Sequence, residues 1–370
     1  MKRFLVRSMQ VLLILILLVV IGTFLYLKHA RFGENASGER LAKMERLPNY
    51  KNGAFDNLEF TPALAEGTTW GDMLRSFFFS KKERNVPQDP IPVDKNNLHD
   101  LPPDSNLYVW FGHSSYLLQL DGKKILVDPV FSTYATPVRI SVRAFKSTYA
   151  YTADDMPEVD IMLITHDHWD HLDYNTVMQL KHKVKHIITG LGVGAHLEKW
   201  GYPADQITDL YWGETTDRAG FQITSATARH FSGRTFKRNT TLWSSFILTG
   251  SKNIYIGGDS GYGKHFKEIG NQYGPFDFAI LENGQYNLMW KYIHMMPEEV
   301  ITATQDLRAR YVIPVHSAKF PLANHPWDEP LIRVTKAAKE KQVDLITPRI
   351  GQIVFLDRLP SNTEWWVGIR

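Results

Sequence analysis

Six consecutive residues hold the densest chemistry in the chain. His166-Asp-His168-Trp-Asp170-His171 offers three imidazoles and the Asp170 carboxylate directly after an apolar stretch, Ile161–Thr165, that reads as a strand. In extended chain, residues two apart face the same way, so His166 and His168 can bind one ion together. The chain then turns toward a helix, and the turn can carry Asp170 and His171 to a neighbouring position. Packing does not call for such a cluster; a divalent metal does.

One motif cannot close two coordination spheres, and further donors are expected at other strand ends. Three fit: His230 after Phe221–Arg229, Asp259 in Gly257-Gly-Asp-Ser-Gly-Tyr-Gly263, and His316 after Tyr311–Val315. The expected grouping is His166, His168 and His230 on a first metal and Asp170, His171 and His316 on a second, with Asp259 bridging. Zinc, two ions per chain, suits the histidine-rich spheres; manganese or iron are the alternatives where carboxylates contribute. Two close ions lower the pKa of a bridging water and stabilise charge on a phosphoryl or carbonyl oxygen. Asp170 would ligate and orient the resulting hydroxide. Asp128, in Leu126-Val-Asp-Pro129, is placed to orient a ligand histidine.

Other chemistries are excluded. Cysteine is absent, which removes disulfides, thiolate metal sites and a cysteine nucleophile. Gly112-His-Ser-Ser-Tyr116 ends in tyrosine where a nucleophile elbow needs glycine. Gly190-Leu-Gly-Val-Gly194 matches neither glycine-rich nucleotide fingerprint.

The donors need elements to stand on. Leu107–Trp110, Tyr116–Leu120 and Lys124–Val127 read as strands, the last two joined by an Asp121-Gly122 hairpin turn. Ile187–Thr189, Ile207–Trp212, Phe221–Ala228, Leu242–Leu248, Asn253–Gly257, Phe278–Leu281 and Tyr311–Val315 follow. Helices are expected at Tyr174–Lys181, Val193–Trp200, Pro297–Arg308 and Glu329–Lys341; Pro297, Glu298 and Glu299 suit a helix start. Residues 30–105, rich in proline, read as irregular. Within them Arg75–Lys82 sets three phenylalanines among basic residues, fit either to pack on the core or to meet a bilayer surface.

With these motifs assembled, the sequence resembles the metallo-β-lactamase fold superfamily, through His166–His171, His230, Asp259 and His316 in that order. Within it, the sequence is most similar to the branch of phospholipases D that hydrolyse N-acylphosphatidylethanolamine. Trp110–Ser115, Leu126–Phe131, Thr165–Asp173, Ala228–Arg234, Arg238–Trp243, Gly258–Tyr262, Tyr292–Glu299 and Pro321–Asn324 carry that likeness, over about residues 105–357. The resemblance implies an α/β fold, a four-layer αββα sandwich with a two-zinc site at one edge. It also implies a phosphodiesterase acting on membrane phospholipid. A small-ester or lactone hydrolase and a non-catalytic tethered metal-binding protein are the competing readings. In the branch, the histidine matching His294 lies near the metals and binds or protonates substrate; a structural role is the alternative. His113 reads as a support to the ligands. Arg234 and Arg238 suit a phosphate-bearing substrate or a solvated loop, and Met289, Trp290, Met295 and Met296 suit acyl chains or packing.

Residues Met9–Leu27 run 19 positions without a charge, enough to cross a hydrocarbon core, and no small-residue cleavage site follows. An uncleaved single-pass anchor is expected, with the body on the non-cytoplasmic, periplasmic side. The expected organisation is an anchor over 1–30, a tether and extended wrap over 31–104, and a hydrolase domain over 105–370. Residues 1–46 hold eight Lys/Arg against three Glu, and the rest 34 basic against 36 acidic side chains. The body is not basic, which disfavours nucleic acid as partner. Membrane lipid is the expected substrate, residues 9–27 the contact with the bilayer, and a homo-oligomer is left open.

Overall fold

The computed structural model describes residues 2–79, 82–138 and 141–370. Helix α1 (Lys2–Leu27) projects from the body, which Tyr26 meets near its C-terminal end, and its leucines, isoleucines and valines are exposed from Leu5 to Leu25. Its 26 residues reach about 39 Å at 1.5 Å per residue. It is long and apolar enough to cross a membrane.

Residues 30–105 are less irregular than their prolines imply. They form α2 (Gly38–Glu45), a hairpin of β1 (Tyr50–Lys51) and β2 (Ala54–Phe55), and α3 (Trp70–Phe79). Met44 and Phe55 are buried against Trp212, Leu242 and Trp243 of the body. Of the Arg75–Lys82 cluster, Ser80 and Lys81 lie outside the described residues. Phe77, Phe78 and Phe79 are exposed rather than packed into the core.

The body is two mixed seven-stranded sheets. The first holds β3 (Leu107–Trp110), β4 (Tyr116–Leu120), β5 (Lys123–Val127), β6 (Val159–Ile164), β7 (Val184–Gly190) and β8 (Ile207–Leu210). The second holds β9 (Thr215–Arg218), β10 (Phe221–Ala226), β11 (Ser245–Thr249), β12 (Asn253–Ile256), β13 (Phe276–Glu282), β14 (Ala309–Val315) and β15 (Asp344–Leu345). Strand β16 (Ile353–Phe355) returns to the first sheet, beside β3. Asp121 and Gly122 both have positive φ, the backbone of a two-residue turn between antiparallel β4 and β5. Strands β9, β15 and β16 are additions to the sequence reading.

Parallel neighbours need crossovers, and helices supply them. Helices α4 (Tyr174–Leu180) and α5 (Gly194–Lys199) connect β6, β7 and β8; α6 (His265–Tyr273), α7 (Pro297–Asp306) and α8 (Glu329–Lys341) connect β12 to β15. Side chains alternate across each strand, so every sheet buries two faces. Tyr108, Leu118, Ile125 and Ile161 meet Ile223, Phe246, Ile254 and Ile280 between the sheets. Leu126, Met162 and Ile187 face Val177, Leu180 and Leu197 on one outside; Tyr255, Ala279 and Val312 face Phe266, Val300 and Val334 on the other. The four layers are αββα, as the resemblance implied.

Candidate metal centre and cavity

The pairing pattern makes β3, β5 and β6 run the same way in the first sheet, and β10, β12, β13 and β14 the same way in the second. The ends of these seven strands and the loops after them carry His113, Asp128, His166–His171, His230, Asp259, Glu282 and His316. Donors scattered over some 200 positions thus converge at one edge, where strand ends of open α/β sheets place their ligands. The two sheets are stitched there: the His113 amide donates to Ser317 O and the His316 amide to His113 O.

Two donor sets form. The donor atoms of His166, His168, His230 and Asp259 lie within 4.8 Å of one another, as do those of His113, Asp170, His171 and His316. His168 Nδ1 is 2.8 Å from His166 Nε2 and 3.2 Å from His230 Nε2. Asp259 faces both sets, with Oδ2 3.6 Å from His230 Nε2 and 3.2 Å from His171 Nε2, and Oδ1 3.2 Å from His316 Nδ1. Ligands at zinc's 2.0–2.1 Å bond length sit about 3.3 Å apart on a tetrahedron. Buried His171 Nε2 and Asp259 Oδ1 have no hydrogen-bond partner, as fits donors meant for an ion. The residues therefore suit divalent metal.

The surrounding contacts aim the rings. Asp128 accepts from His171 Nδ1 at 2.8 Å and from the Thr165 amide and hydroxyl at 2.8 and 2.7 Å. That leaves His171 Nε2 for the centre. His230 Nδ1 donates to Ile293 O at 2.8 Å, freeing Nε2 in the same way. His113 sits closer to the centre than expected, with Nε2 2.9 Å from Asp170 Oδ2. His113, Asp128 and His316 all have positive φ, strain that clusters where these turns meet the site.

Charge states agree with ligand roles at three histidines; at His171 burial is overcome by Asp259, Asp170 and Asp128, which raise its pKa well above the usual histidine range. Burial pushes His166, His230 and His316 well below the usual histidine range, leaving neutral imidazoles. Burial works against charge on Asp259 and Asp170 too, but neighbouring His171 holds both well below the carboxylate range. Glu282, at the end of β13, was missed in the sequence; burial pushes its carboxyl up to about 7. Its Oε2 lies 3.5 Å from His294 Nδ1, and its Oε1 accepts from the Met295 amide. An acid directly after an apolar strand was its only signal.

The centre floors a cavity of about 400 Å³. His168, Asp170, His230, Asp259, His294 and His316 line the bottom. Leu64, Trp70, Met73, Phe231, Trp290 and Leu322 form much of the wall, with Arg238 on one side. Residues 57–73 thus belong to the site, although the sequence reading put them in a wrap. Arg238 stacks on Phe231, 4.8 Å from its ring centre.

Three expected substrate residues are elsewhere. Arg234 is buried and gives its guanidinium to the backbone carbonyls of Arg31, Asp167 and Leu172. Burial lowers its pKa to about 10. Met295 is buried in the core under the helices of the second sheet. Met289 lies outside the cavity lining, its carbonyl accepting from the Ala65 amide.

Fold and site together define a metal-dependent hydrolase of the metallo-β-lactamase fold. The chain belongs to the beta-lactamase superfamily, whose domain model (Beta-lactamase superfamily domain) matches residues 123–317. It is 38% identical over 345 residues to an uncharacterized protein of Mycobacterium tuberculosis, covering 91% of this chain and 92% of that one. It is 29% identical over 327 residues to N-acyl-phosphatidylethanolamine-hydrolyzing phospholipase D 1 of Caenorhabditis elegans, covering 77% and 89%. Among solved structures, the metallo hydrolase Igni18 of Ignicoccus hospitalis aligns with a TM-score of 0.52 at 20% identity, over 68% of this chain and 98% of that one.

Proposed function

We propose that the protein is a membrane-anchored phosphodiesterase with two zinc ions, cleaving N-acylphosphatidylethanolamine-type phospholipids in the manner of a phospholipase D. One observation carries the reading: two donor sets, with Asp259 in the first and within 3.2 Å of His171 and His316 of the second, open onto a cavity whose walls are largely apolar. The named activity of the nematode relative points the same way.

His166, His168 and His230 would hold one ion and Asp170, His171 and His316 the other, with Asp259 between them. Bound there, the ions supply Lewis acidity toward water and a phosphoryl oxygen. Asp170 Oδ2, fixed by His113, orients the attacking water. His294 turns Nδ1 to Glu282 and leaves its other edge to the cavity; the Glu282 carboxylate keeps the ring's pKa raised against burial. It is the group placed to give a proton to the departing alkoxide. Arg238 neutralises phosphate charge, and Leu64, Trp70, Met73 and Leu322 take acyl chain. Helix α1 spans the bilayer, with the body on the periplasmic side; alkaline phosphatase fused after Arg370 would be inactive if the body were cytoplasmic.

The test is the full chain in detergent, assayed for metal and offered N-acylphosphatidylethanolamine in mixed micelles, bis-p-nitrophenyl phosphate and a simple lactone. About two metals per chain with release of phosphatidic acid supports the reading. Cleavage of the lactone alone would replace it with a carbonyl hydrolase.

A further inference from the structure

The segment that leaves α1 does not hang free. It lies against the turn that carries the metal ligands. Tyr26 Oη and Arg31 Nη1 donate to Pro137 O at 2.5 and 3.2 Å. Phe32 is buried, its ring 5.2 Å edge-on from Trp169, which sits between His168 and Asp170. Trp200 Nε1 donates to Ala30 O at 2.7 Å.

Two polar clamps tie this segment to the turn. The first is Arg234. Its Nε and Nη2 donate to Arg31 O at 3.1 and 2.9 Å, and its Nη1 to Asp167 O and Leu172 O at 2.7 and 2.8 Å. The guanidinium stacks on Trp169 with its carbon 4.0 Å from the ring centre. One planar fork thus holds the exit segment and both sides of the ligand turn. The second clamp runs through His196. Its Nδ1 accepts the Glu34 amide at 3.0 Å, so Nε2 carries the proton toward Asp167 Oδ2 at 3.2 Å. Asp167 Oδ1 accepts the Gly233 amide at 2.7 Å. Asp167 lies between two ligand histidines yet points away from the metal centre, into the clamp.

We propose that residues 30–34 are a positioning element of the metal centre, completing through Arg234, His196 and Asp167 the clamp that sets the His166–His171 turn. The apolar helix and the centre then form one mechanical unit, and the helix fixes the cavity's attitude as well as tethering it. Contacts behind a ligand set its direction, and losing them typically weakens metal binding about 10- to 100-fold. The proposal rests on the metal reading of the site.

Gly33 offers the test. It has positive φ, and a methyl there would lie 2.1 Å from His196 Nδ1. Gly33→Ala wedges the segment off the clamp without touching a ligand. Gly38→Ala is the control, also at positive φ but with nothing within 4 Å of its methyl. Full-length proteins in micelles are titrated with zinc against a chromophoric chelator, and the metal-free forms are melted. The expected result is roughly ten-fold weaker zinc binding in Gly33→Ala, no change in Gly38→Ala, and metal-free forms that all still melt cooperatively, Gly33→Ala at a lower temperature. Arg234→Lys, which keeps the charge and loses the fork, should weaken zinc in the same direction; it decides the matter if Gly33→Ala does not fold. Zinc affinity equal to wild type in both Gly33→Ala and Arg234→Lys overturns the proposal and leaves the metal reading intact. A wild type that takes up no metal overturns both.

Discussion

In the metal centre beneath the cavity, His166, His171, His230, Asp259 and His316 are each at most 4% exposed; on helix α3, which meets the cavity through Trp70 and Met73, Trp70 is 54%, Leu74 51% and Phe78 69% exposed. Floor residues come from the ends of seven strands and are aimed by short hydrogen bonds from Asp128, His113 and Ile293 O. The rim helix α3 buries no residue at all. The floor is polar, crowded and fixed, as preorganised chemistry requires. The rim is apolar and wet, an arrangement that disfavours the isolated soluble protein and suits contact with lipid. On the proposed function, reaction type and substrate choice would fall to parts of the molecule under different physical constraints.

That contrast can be broken most forcefully at Asp259. Asp259→Ala removes the one carboxylate facing both donor sets, and turnover of every substrate should fall by at least about 100-fold, with less than two metals retained per chain. Full activity in this variant would show that the two sets do not act together. Asp128→Asn is a milder blow. It leaves one accepting oxygen where the carboxylate serves both the Thr165 amide and His171 Nδ1, and zinc affinity should drop about 10- to 100-fold in a chelator competition while the fold persists.

A third prediction concerns the floor's underside. Lys319 is buried, its Nζ donating to Phe111 O and Val130 O behind His113. Burial pushes its pKa from 10.5 down to about 7. Unfolded, the amine stays charged to about pH 10.5; folded, it is neutral above about 7. The folded state therefore binds fewer protons in that window, and stability should rise with pH across it and be lost as pH falls toward 7. Measured as melting temperature, wild type should gain on Lys319→Met between pH 7 and 10. A difference that does not move with pH would mean that the ammonium is solvated.

The floor was legible in the sequence because metal chemistry restricts residue type: only a few side chains donate, and strand ends are where they were sought. His230, Asp259 and His316 stood out for that reason, and the structure brings them together. Glu282 shared the same position but had no histidine beside it to attract notice. Arg234 misled because a guanidinium near a metal motif reads the same whether it meets phosphate or three backbone carbonyls. Burial separates the two, and burial was not visible. Helix α3 was hidden for the opposite reason. Its aromatic run, Phe77–Phe79, follows no buried stripe, so periodicity had nothing to report. The short strands β15 and β16 and β9 are held by their neighbours in the sheets rather than by their own sequence.

The rim gives the smallest effects and the sharpest comparison. Exposed side chains contribute little to folding, so Leu74→Ser and Phe78→Ser should change stability by no more than about 0.5 kcal/mol. Trp70 and Met73 differ, because they also line the cavity. Truncating either to alanine removes apolar surface that an acyl chain would bury, a loss of about 1 kcal/mol at roughly 25 cal/mol per Å². The Michaelis constant for a long-chain lipid should then rise about five-fold, while bis-p-nitrophenyl phosphate, which has no chain to bury, turns over unchanged. Were both substrates slowed alike, the wall would be supporting the floor, and the division between fixed chemistry and apolar recognition would not hold.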